Sequence, residues 1–114
     1  MPFIRMTTSE KITKEKELEL KADFGRAISL VSGKAECYLM LAFHDSVMMA
    51  YQGDNETPLA MIEVQLLGES DSGELDMLTA ALTESVGRVL GIVPSRIYVN
   101  HSFYKHWGVG GHNV

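Results

Sequence analysis

The sequence is poor in cysteine and proline and contains no long apolar run. Its one cysteine, Cys37, cannot form an internal disulfide, so we expect a fold held by its hydrophobic core in a reducing compartment. No run reaches 18 apolar residues, which predicts no membrane-spanning helix and no membrane partner. The first residues lack the basic start and cleavage site of a signal peptide. These absences together predict a cytoplasmic protein.

Positive charge is also scarce. Ten Lys and Arg residues stand against fifteen Asp and Glu residues, a formal net charge of −5. Nucleic acids and anionic surfaces attract clustered positive charge, so we expect no nucleic-acid partner. The four histidines (His44, His101, His106 and His112) lack the spacing of a metal site. The glycines at 108–111 do not connect a strand to a helix, which argues against a phosphate-binding loop.

The chain has the composition of one globular domain spanning residues 1–114. Hydrophobic residues make up 46% of it, enough to build a core at this length. Each half has the pattern of a strand, an amphipathic helix and a second strand. We predict strands at 2–7, 37–43, 59–67 and 96–100. The helices are predicted to start at the cap Thr13 and after the polar loop 69–73, and to end at Gly33 and Gly91.

The two halves, about 1–53 and 58–114, align with a constant shift of 58 residues. That shift places Leu20 on Leu78 and Phe24 on Leu82 within the apolar helical stripes. The pattern predicts an α+β fold in which duplicated βαβ units form a four-stranded mixed sheet with both helices on one face. Residues 39–43 are apolar throughout, and helices cover only one sheet face. We therefore expect the other face to pack against further copies of the chain.

Pro2 admits two interpretations. A proline at the start of a strand has structural value alone, since its missing N–H costs nothing there. Initiator methionine is ordinarily removed before a small residue, however, which leaves proline as a free secondary amine. An α-amino group titrates near ~8, and an apolar site lowers that pKa, so this amine would be a neutral base near neutral pH.

A set of short motifs gives the sequence a family resemblance. The matching segments are residues 1–4, 32–34, 38, 49–53, 67–68 and 93–100. On these residues the chain resembles the macrophage migration inhibitory factor (MIF) family of the tautomerase superfamily. The resemblance implies a homotrimer whose three sheets surround a central channel, with an active site at each subunit boundary. It also implies a cofactor-free enzyme.

The resemblance further implies roles for individual residues. Pro2 would be the general base in keto–enol interconversion of 2-oxo acids such as phenylpyruvate, and Lys34 would bind the substrate carboxylate. The main chain of Leu67 would supply an amide contact. Tyr98 and Asn100 of the neighbouring subunit would make further substrate contacts. Tyr38, Trp107 and Val109 would form an aromatic wall against the substrate.

The chain departs from the family pattern at two places. Residues 59–62 read Leu-Ala-Met-Ile where some members carry a Cys-x-x-Cys pair, so thiol–disulfide chemistry of that kind is excluded. Val109 stands where a tryptophan is usual, and Trp107 lies two positions earlier. An alternative function remains open: a cytokine-like protein, released without a leader, that binds a protein receptor and keeps an incidental tautomerase pocket.

Overall fold

The computed structural model describes all 114 residues, and its core consists of four strands and two helices. The strands are β1 (Pro2–Thr8), β2 (Met40–His44), β3 (Ala60–Leu67) and β4 (Ile97–Tyr104). The helices are α1 (Lys14–Ile28) and α2 (Ser72–Leu90), and a terminal hairpin is formed by β5 (Gly108–Val109) and β6 (His112–Asn113). Neither helix is long and apolar enough to cross a membrane.

The main sheet has the strand order β2-β1-β3-β4 and is mixed. β1 runs parallel to β2 and antiparallel to β3, while β4 runs parallel to β3. Alternate residues of β1 and β3 are buried, so one sheet face packs against the helices. That face and both helices share a 17-residue hydrophobic cluster. The predicted α+β architecture is confirmed.

Helix ends follow the predicted signals except at Gly33 and at the start of α2, which begins at Ser72, inside the predicted loop 69–73. Thr13 caps α1 by accepting a hydrogen bond from the Lys16 amide, and Gly91 ends α2 in the left-handed conformation. α1 ends at Ile28 instead of continuing to Gly33. The amides of Leu30 and Val31 bond to carbonyls three residues earlier, which tightens the chain before Gly33 turns it at φ 77°.

The second strand begins later than predicted. Residues Glu36–Tyr38 form a 3₁₀ turn, because the amides of Tyr38 and Leu39 bond to local carbonyls instead of joining the sheet. Cys37 is therefore exposed and does not lie inside an apolar strand. The prediction that residues 37–43 form one strand is wrong for its first three residues.

The sheet face turned away from the helices is more polar than the apolar run suggested. At its centre Arg5 and Glu63 form a bidentate ion pair, with Nε–Oε2 at 2.9 Å and Nη2–Oε1 at 3.0 Å. β2 contributes the side chain of Met40, 68% exposed in the single chain. The apolar character of residues 39–43 thus comes mainly from Leu41 and Phe43, which pack on the core. We call this surface the open face.

Arg96 fixes the loop between residues 51 and 58. Its buried guanidinium donates to the main-chain carbonyls of Tyr51, Asp54, Thr57 and Pro58 at 3.0–3.3 Å. The Asp54 carboxylate accepts from the amides of residues 56 and 57. A hydrogen bond from the Thr57 hydroxyl, together with these two from the main chain, lowers the pKa of Asp54 from 3.8 to about 2.

Asp54→Ala should therefore destabilise the protein in a pH-dependent way. A carboxylate whose pKa falls on folding stabilises the protein above its unfolded pKa, and this stabilisation is lost as the pH falls through the folded value. The melting temperature of the variant should lie below that of the wild type at neutral pH. The difference should shrink as the pH falls from about 4 to about 2. A constant difference across that range, measured by circular dichroism, would contradict the assignment.

Candidate active site

Pro2 lies at one end of the sheet and beside a cavity. It is buried, and it pairs with Leu66 of the neighbouring strand β3. The Leu67 amide donates to the carbonyl of Met1 at 3.2 Å. The adjoining cavity has a volume of about 510 Å³. It is lined by Met1, Pro2, Phe3, Met40, Gln65, Trp107, Gly108, Val109 and Gly110. We call it the Pro2 cavity.

Lys34 approaches the same end of the sheet from the loop after α1. Its Nζ donates to the carbonyl of Leu67 at 2.9 Å. Met1 and Lys34 thus both form a hydrogen bond with the main chain of Leu67. Burial lowers the pKa of the Met1 amine, and the nearby positive charge of Lys34 lowers it further. Three sequence-predicted site residues, Pro2, Lys34 and Leu67, therefore lie together.

The C-terminal tail closes one side of the Pro2 cavity. Trp107 and Val109 both line it, so the tail brings these two predicted residues to Pro2. Gly110 and Gly111 connect β5 to β6 with φ of 61° and 91°, a backbone that glycine adopts without strain. The Trp107 ring packs edge-on against Tyr104 with centroids 6.0 Å apart. This arrangement gives the cavity an aromatic wall.

The remaining predicted site residues lie elsewhere in the chain. Tyr38 occupies the 3₁₀ turn, 61% exposed, and does not line the cavity. Tyr98 pairs with Met61, which pairs with Thr7, five positions along β1 from Pro2. At ~3.3 Å per residue this separation is roughly 16 Å. Tyr98 therefore cannot reach the Pro2 cavity of its own chain.

Along the strand direction, Asn100 lies between the position of Tyr98 and that of Pro2. It pairs with Glu63, which is bound to Arg5, and its side chain is on the open face with that of Tyr98. It also is absent from the lining of the Pro2 cavity. One chain thus presents Tyr98 and Asn100 outward along its edge strand β4.

Tyr98 has its own surroundings, which the sequence did not predict. Its ring packs edge-on against Tyr51 at a centroid distance of 5.1 Å, and the interaction with Tyr51 raises the pKa of Tyr98. The Arg96 guanidinium lies 5.4 Å from the centroid of the Tyr51 ring. A cavity of about 160 Å³ adjoins them, lined mostly by apolar side chains. Residues 49–53 belong to the family motif, but nothing in that motif indicated this contact.

Sequence reasoning also missed three side chains that line the Pro2 cavity beyond Met1, those of Phe3, Met40 and Gln65. In the sheet register Phe3 stands between Met40 on β2 and Gln65 on β3. Antiparallel pairing of β1 with β3 is the signal that could have identified Gln65. When Pro2 pairs with Leu66, Gln65 lies beside Phe3.

The site combines the parts needed for proton transfer next to a carbonyl. It holds a chain terminus whose amine pKa is lowered, a cation that can bind an anionic group, and a main-chain amide at Leu67. The cavity beside them is large enough for a small organic substrate.

Comparison with known proteins supplies the relationship. No protein-family model matches the sequence, and no curated protein matches it. Among solved structures, MIF2 of Leishmania major superposes with a TM-score of 0.93 and 31% identity, over 100% of this chain and 97% of that one.

More distant structures share the fold. Macrophage migration inhibitory factor of Toxoplasma gondii has a TM-score of 0.87 and 22% identity, over 98% of this chain and 99% of that one. Pt0534, in a structure of the protein inactivated by 2-oxo-3-pentynoate, has a TM-score of 0.86 and 19% identity, over 97% and 95% of the two chains. With 31% identity over its whole length to a MIF protein, this chain belongs to the macrophage migration inhibitory factor family.

Proposed function

We propose that this protein is a cofactor-free keto–enol tautomerase of phenylpyruvate-like 2-oxo acids, active as a homotrimer, with Pro2 as its general base. The observation that carries the proposal is that the chain terminus and Lys34 meet on the main chain of Leu67, beside the Pro2 cavity. Removal of Met1 is part of the proposal, because it converts the Pro2 nitrogen from an amide to an amine.

The surroundings of Pro2 favour a neutral amine. Pro2 is buried, and burial disfavours a charged amine. The ammonium of Lys34 is held at the adjacent carbonyl of Leu67 and opposes a second positive charge there. These effects already lower the pKa of the Met1 amine, one residue further out. A secondary amine in this position would be a base at neutral pH.

Lys34 and Leu67 would hold the acid end of the substrate. The Lys34 ammonium attracts a carboxylate, and a charge-assisted hydrogen bond of this kind is stronger than a neutral one. The Leu67 amide donates to the Met1 carbonyl while Met1 is present. Loss of Met1 frees that N–H beside the Pro2 nitrogen, where a substrate oxygen can accept it.

Pro2 would then move one proton within the substrate. From the enol, its nitrogen takes the hydroxyl proton while the carbonyl forms and the carbon–carbon double bond opens. The resulting ammonium returns the proton to the carbon next to the carbonyl. The reverse sequence converts the keto form to the enol. No oxidant or other reactant is consumed, and Pro2 ends in its starting state.

The rest of the substrate would lie against an aromatic and apolar wall. Trp107 and Val109 supply it within one chain. Tyr98 and Asn100 project from the edge strand β4 of the open face, so a neighbouring subunit would bring them to the cavity. Tyr38 is exposed in the single chain and would join the wall in the assembly.

An electrophilic 2-oxo acid tests the proposal. Because 2-oxo-3-pentynoate inactivates the structurally similar Pt0534, we expect it to attach to this protein as well. The Pro2 nitrogen should add to the triple bond once per chain, at neutral pH, with parallel loss of phenylpyruvate turnover. Mass spectrometry should find the addition on the peptide that begins with Pro2.

Lys34→Ala serves as the control for this labelling. Without the ammonium the reagent's carboxylate loses its anchor and the amine pKa rises, so labelling at neutral pH should slow at least about tenfold. Addition only at Lys34 or Cys37 would contradict the proposed base. Labelling as slow as that of an ordinary α-amine would favour the cytokine-like alternative, in which a protein receptor is the partner.

A further inference from the structure

The loop that carries Lys34 is tied to the start of α2 by a single side chain. Glu74 accepts hydrogen bonds from Ser32 with both carboxylate oxygens. The Ser32 amide donates to Oε1 at 3.1 Å and the Ser32 hydroxyl donates to Oε2 at 2.6 Å. The two residues are 42 positions apart in the sequence, so this contact joins the two halves of the chain.

Glu74 is itself held in place. It lies in the first turn of α2, where a negative charge is favoured by the helix dipole. Its amide donates to the carboxylate of Asp71, the cap of that helix, at 3.1 Å. The carboxylate that holds Ser32 therefore projects from a fixed helix end.

Only Gly33 separates Ser32 from Lys34. Gly33 has a φ of 77°, and the Lys34 amide donates a hydrogen bond to the carbonyl of Val31 at 3.1 Å. Glycine has the widest backbone freedom of any residue, so this turn has little stiffness of its own. A fixed Ser32 limits where the Lys34 side chain can begin. The other end of that side chain is at Leu67.

We propose that Glu74, acting through Ser32, is a positioning residue that directs the Lys34 ammonium toward the carboxylate of the substrate. The inference rests on the proposed function, since it assigns Lys34 that task. It goes beyond it by placing part of carboxylate recognition on α2, outside the Pro2 cavity.

The chain offers a matched control for a merely structural role. Ser85 donates its hydroxyl to the carboxylate of Asp23 at 2.6 Å, the same length as the Ser32–Glu74 bond. That bond also joins a residue of α2 to the first half of the chain. It does not touch the Lys34 loop, so its loss can change stability without moving Lys34.

The experiment compares Ser32→Ala, Glu74→Ala and Ser85→Ala in protein that begins at Pro2. We expect Ser32→Ala to raise the KM for phenylpyruvate about fivefold and Glu74→Ala, which removes both bonds, about tenfold or more. At a pH above the titration midpoint of the terminal amine, kcat should stay within about twofold in both, because the base is then neutral in every variant. Ser85→Ala should leave KM unchanged even where its melting temperature falls. Ser32→Thr, which keeps the hydroxyl, should restore the wild-type KM.

A second readout does not need turnover. The pH dependence of N-terminal labelling by 2-oxo-3-pentynoate reports the pKa of the terminal amine. Ser32→Ala and Glu74→Ala should shift its midpoint upward, because the Lys34 charge is no longer held beside the amine. Ser85→Ala should leave the midpoint where it is in the wild type.

The outcomes separate this inference from the proposed function. If Lys34→Ala changes KM and the labelling midpoint while Ser32→Ala and Glu74→Ala change neither, the positioning role is overturned and the tautomerase proposal stands. If the wild type turns over no 2-oxo acid, the proposed function fails. The labelling midpoint then still decides whether Glu74 positions Lys34: a shift supports it, and no shift overturns it.

Discussion

Protein that retains Met1 should convert phenylpyruvate at least about a hundredfold more slowly than protein that begins at Pro2, the loss typical of removing a general base. In the retained form the Pro2 nitrogen belongs to a tertiary amide, whose lone pair is delocalised and does not accept a proton. Met1 itself also lines the cavity, and its carbonyl accepts the hydrogen bond of the Leu67 amide that a substrate would otherwise accept. Three requirements of the reaction are therefore lost together.

A single sequence can supply both samples. Expression with methionine excision inhibited gives the retained form, and treatment of that material with a methionine aminopeptidase gives the form that begins at Pro2. Intact mass distinguishes the two. Activity should appear in proportion to the fraction of chains that have lost Met1. Equal turnover by the two forms would exclude Pro2 as the base, whatever the cause of activity in this fold.

Pro2→Ala refines the same prediction. The variant keeps a free amine at the same place in the sheet, but the amine is primary and the ring no longer fixes its direction. Most turnover should be lost while the fold persists, because the proline at the first position of β1 donates no ladder hydrogen bond. Full activity in this variant would contradict the proposed role.

The helices and the central strands could be predicted because their burial is periodic. Leu20, Phe24, Leu78 and Leu82 recur at helical spacing and are all fully buried. β1 begins at Pro2 and β3 at Ala60, so the 58-residue shift also relates the starts of these strands. Periodicity is informative here because each element buries one continuous face.

The start of β2 could not be predicted, since the segment before it makes local hydrogen bonds and a contact with α1 that the apolar pattern does not reveal. The Glu36 side chain packs where Gly25, in the last turn of α1, leaves room for it. Glu36 is the first residue of the 3₁₀ turn that runs through Tyr38 before β2 begins, so this contact fixes the chain where the turn starts. An apolar run such as 37–43 gives no sign of it, because both the turn and the strand accept apolar residues.

The candidate site divides according to whether its parts lie on one chain. Pro2, Lys34 and Leu67 meet because β1 begins, β3 ends and the loop after α1 passes at the same end of the sheet. Tyr98 and Asn100 do not join them, since the strand register fixes their distance from Pro2. The sequence resemblance assigned these two residues to a neighbouring subunit, and the fold of one chain leaves them no other way to reach the cavity.

Two inactive variants of this protein should therefore restore activity when they assemble together. Pro2→Ala removes the base from one kind of chain. The double variant Tyr98→Ala/Asn100→Ala removes the residues that a chain would give to its neighbour. Each variant alone should show little turnover. Chains mixed in equal amounts, unfolded and refolded together should regain about one quarter of the wild-type sites.

The fraction follows from how a shared site is composed. A working site needs Pro2 from a chain of the double variant, which forms about half of the mixture. It also needs Tyr98 and Asn100 from a Pro2→Ala chain in the adjoining position, again about half. Random assembly therefore completes about one site in four. Samples mixed without unfolding control for subunit exchange, and analytical ultracentrifugation of each variant shows whether it still assembles.

The same experiment distinguishes a shared site from one contained in a single chain. If Pro2 and Tyr98 acted within one protomer, no chain in the mixture would hold both, and refolding would add nothing to the activities of the separate variants. Along the strand direction alone the register separates Tyr98 from Pro2 of its own chain by roughly 16 Å, and Tyr98 also lies two strands away, so no rotamer of Tyr98 can span the distance. Failure of the refolded mixture, with trimers present, would therefore remove Tyr98 and Asn100 from the site while leaving Pro2 as its base.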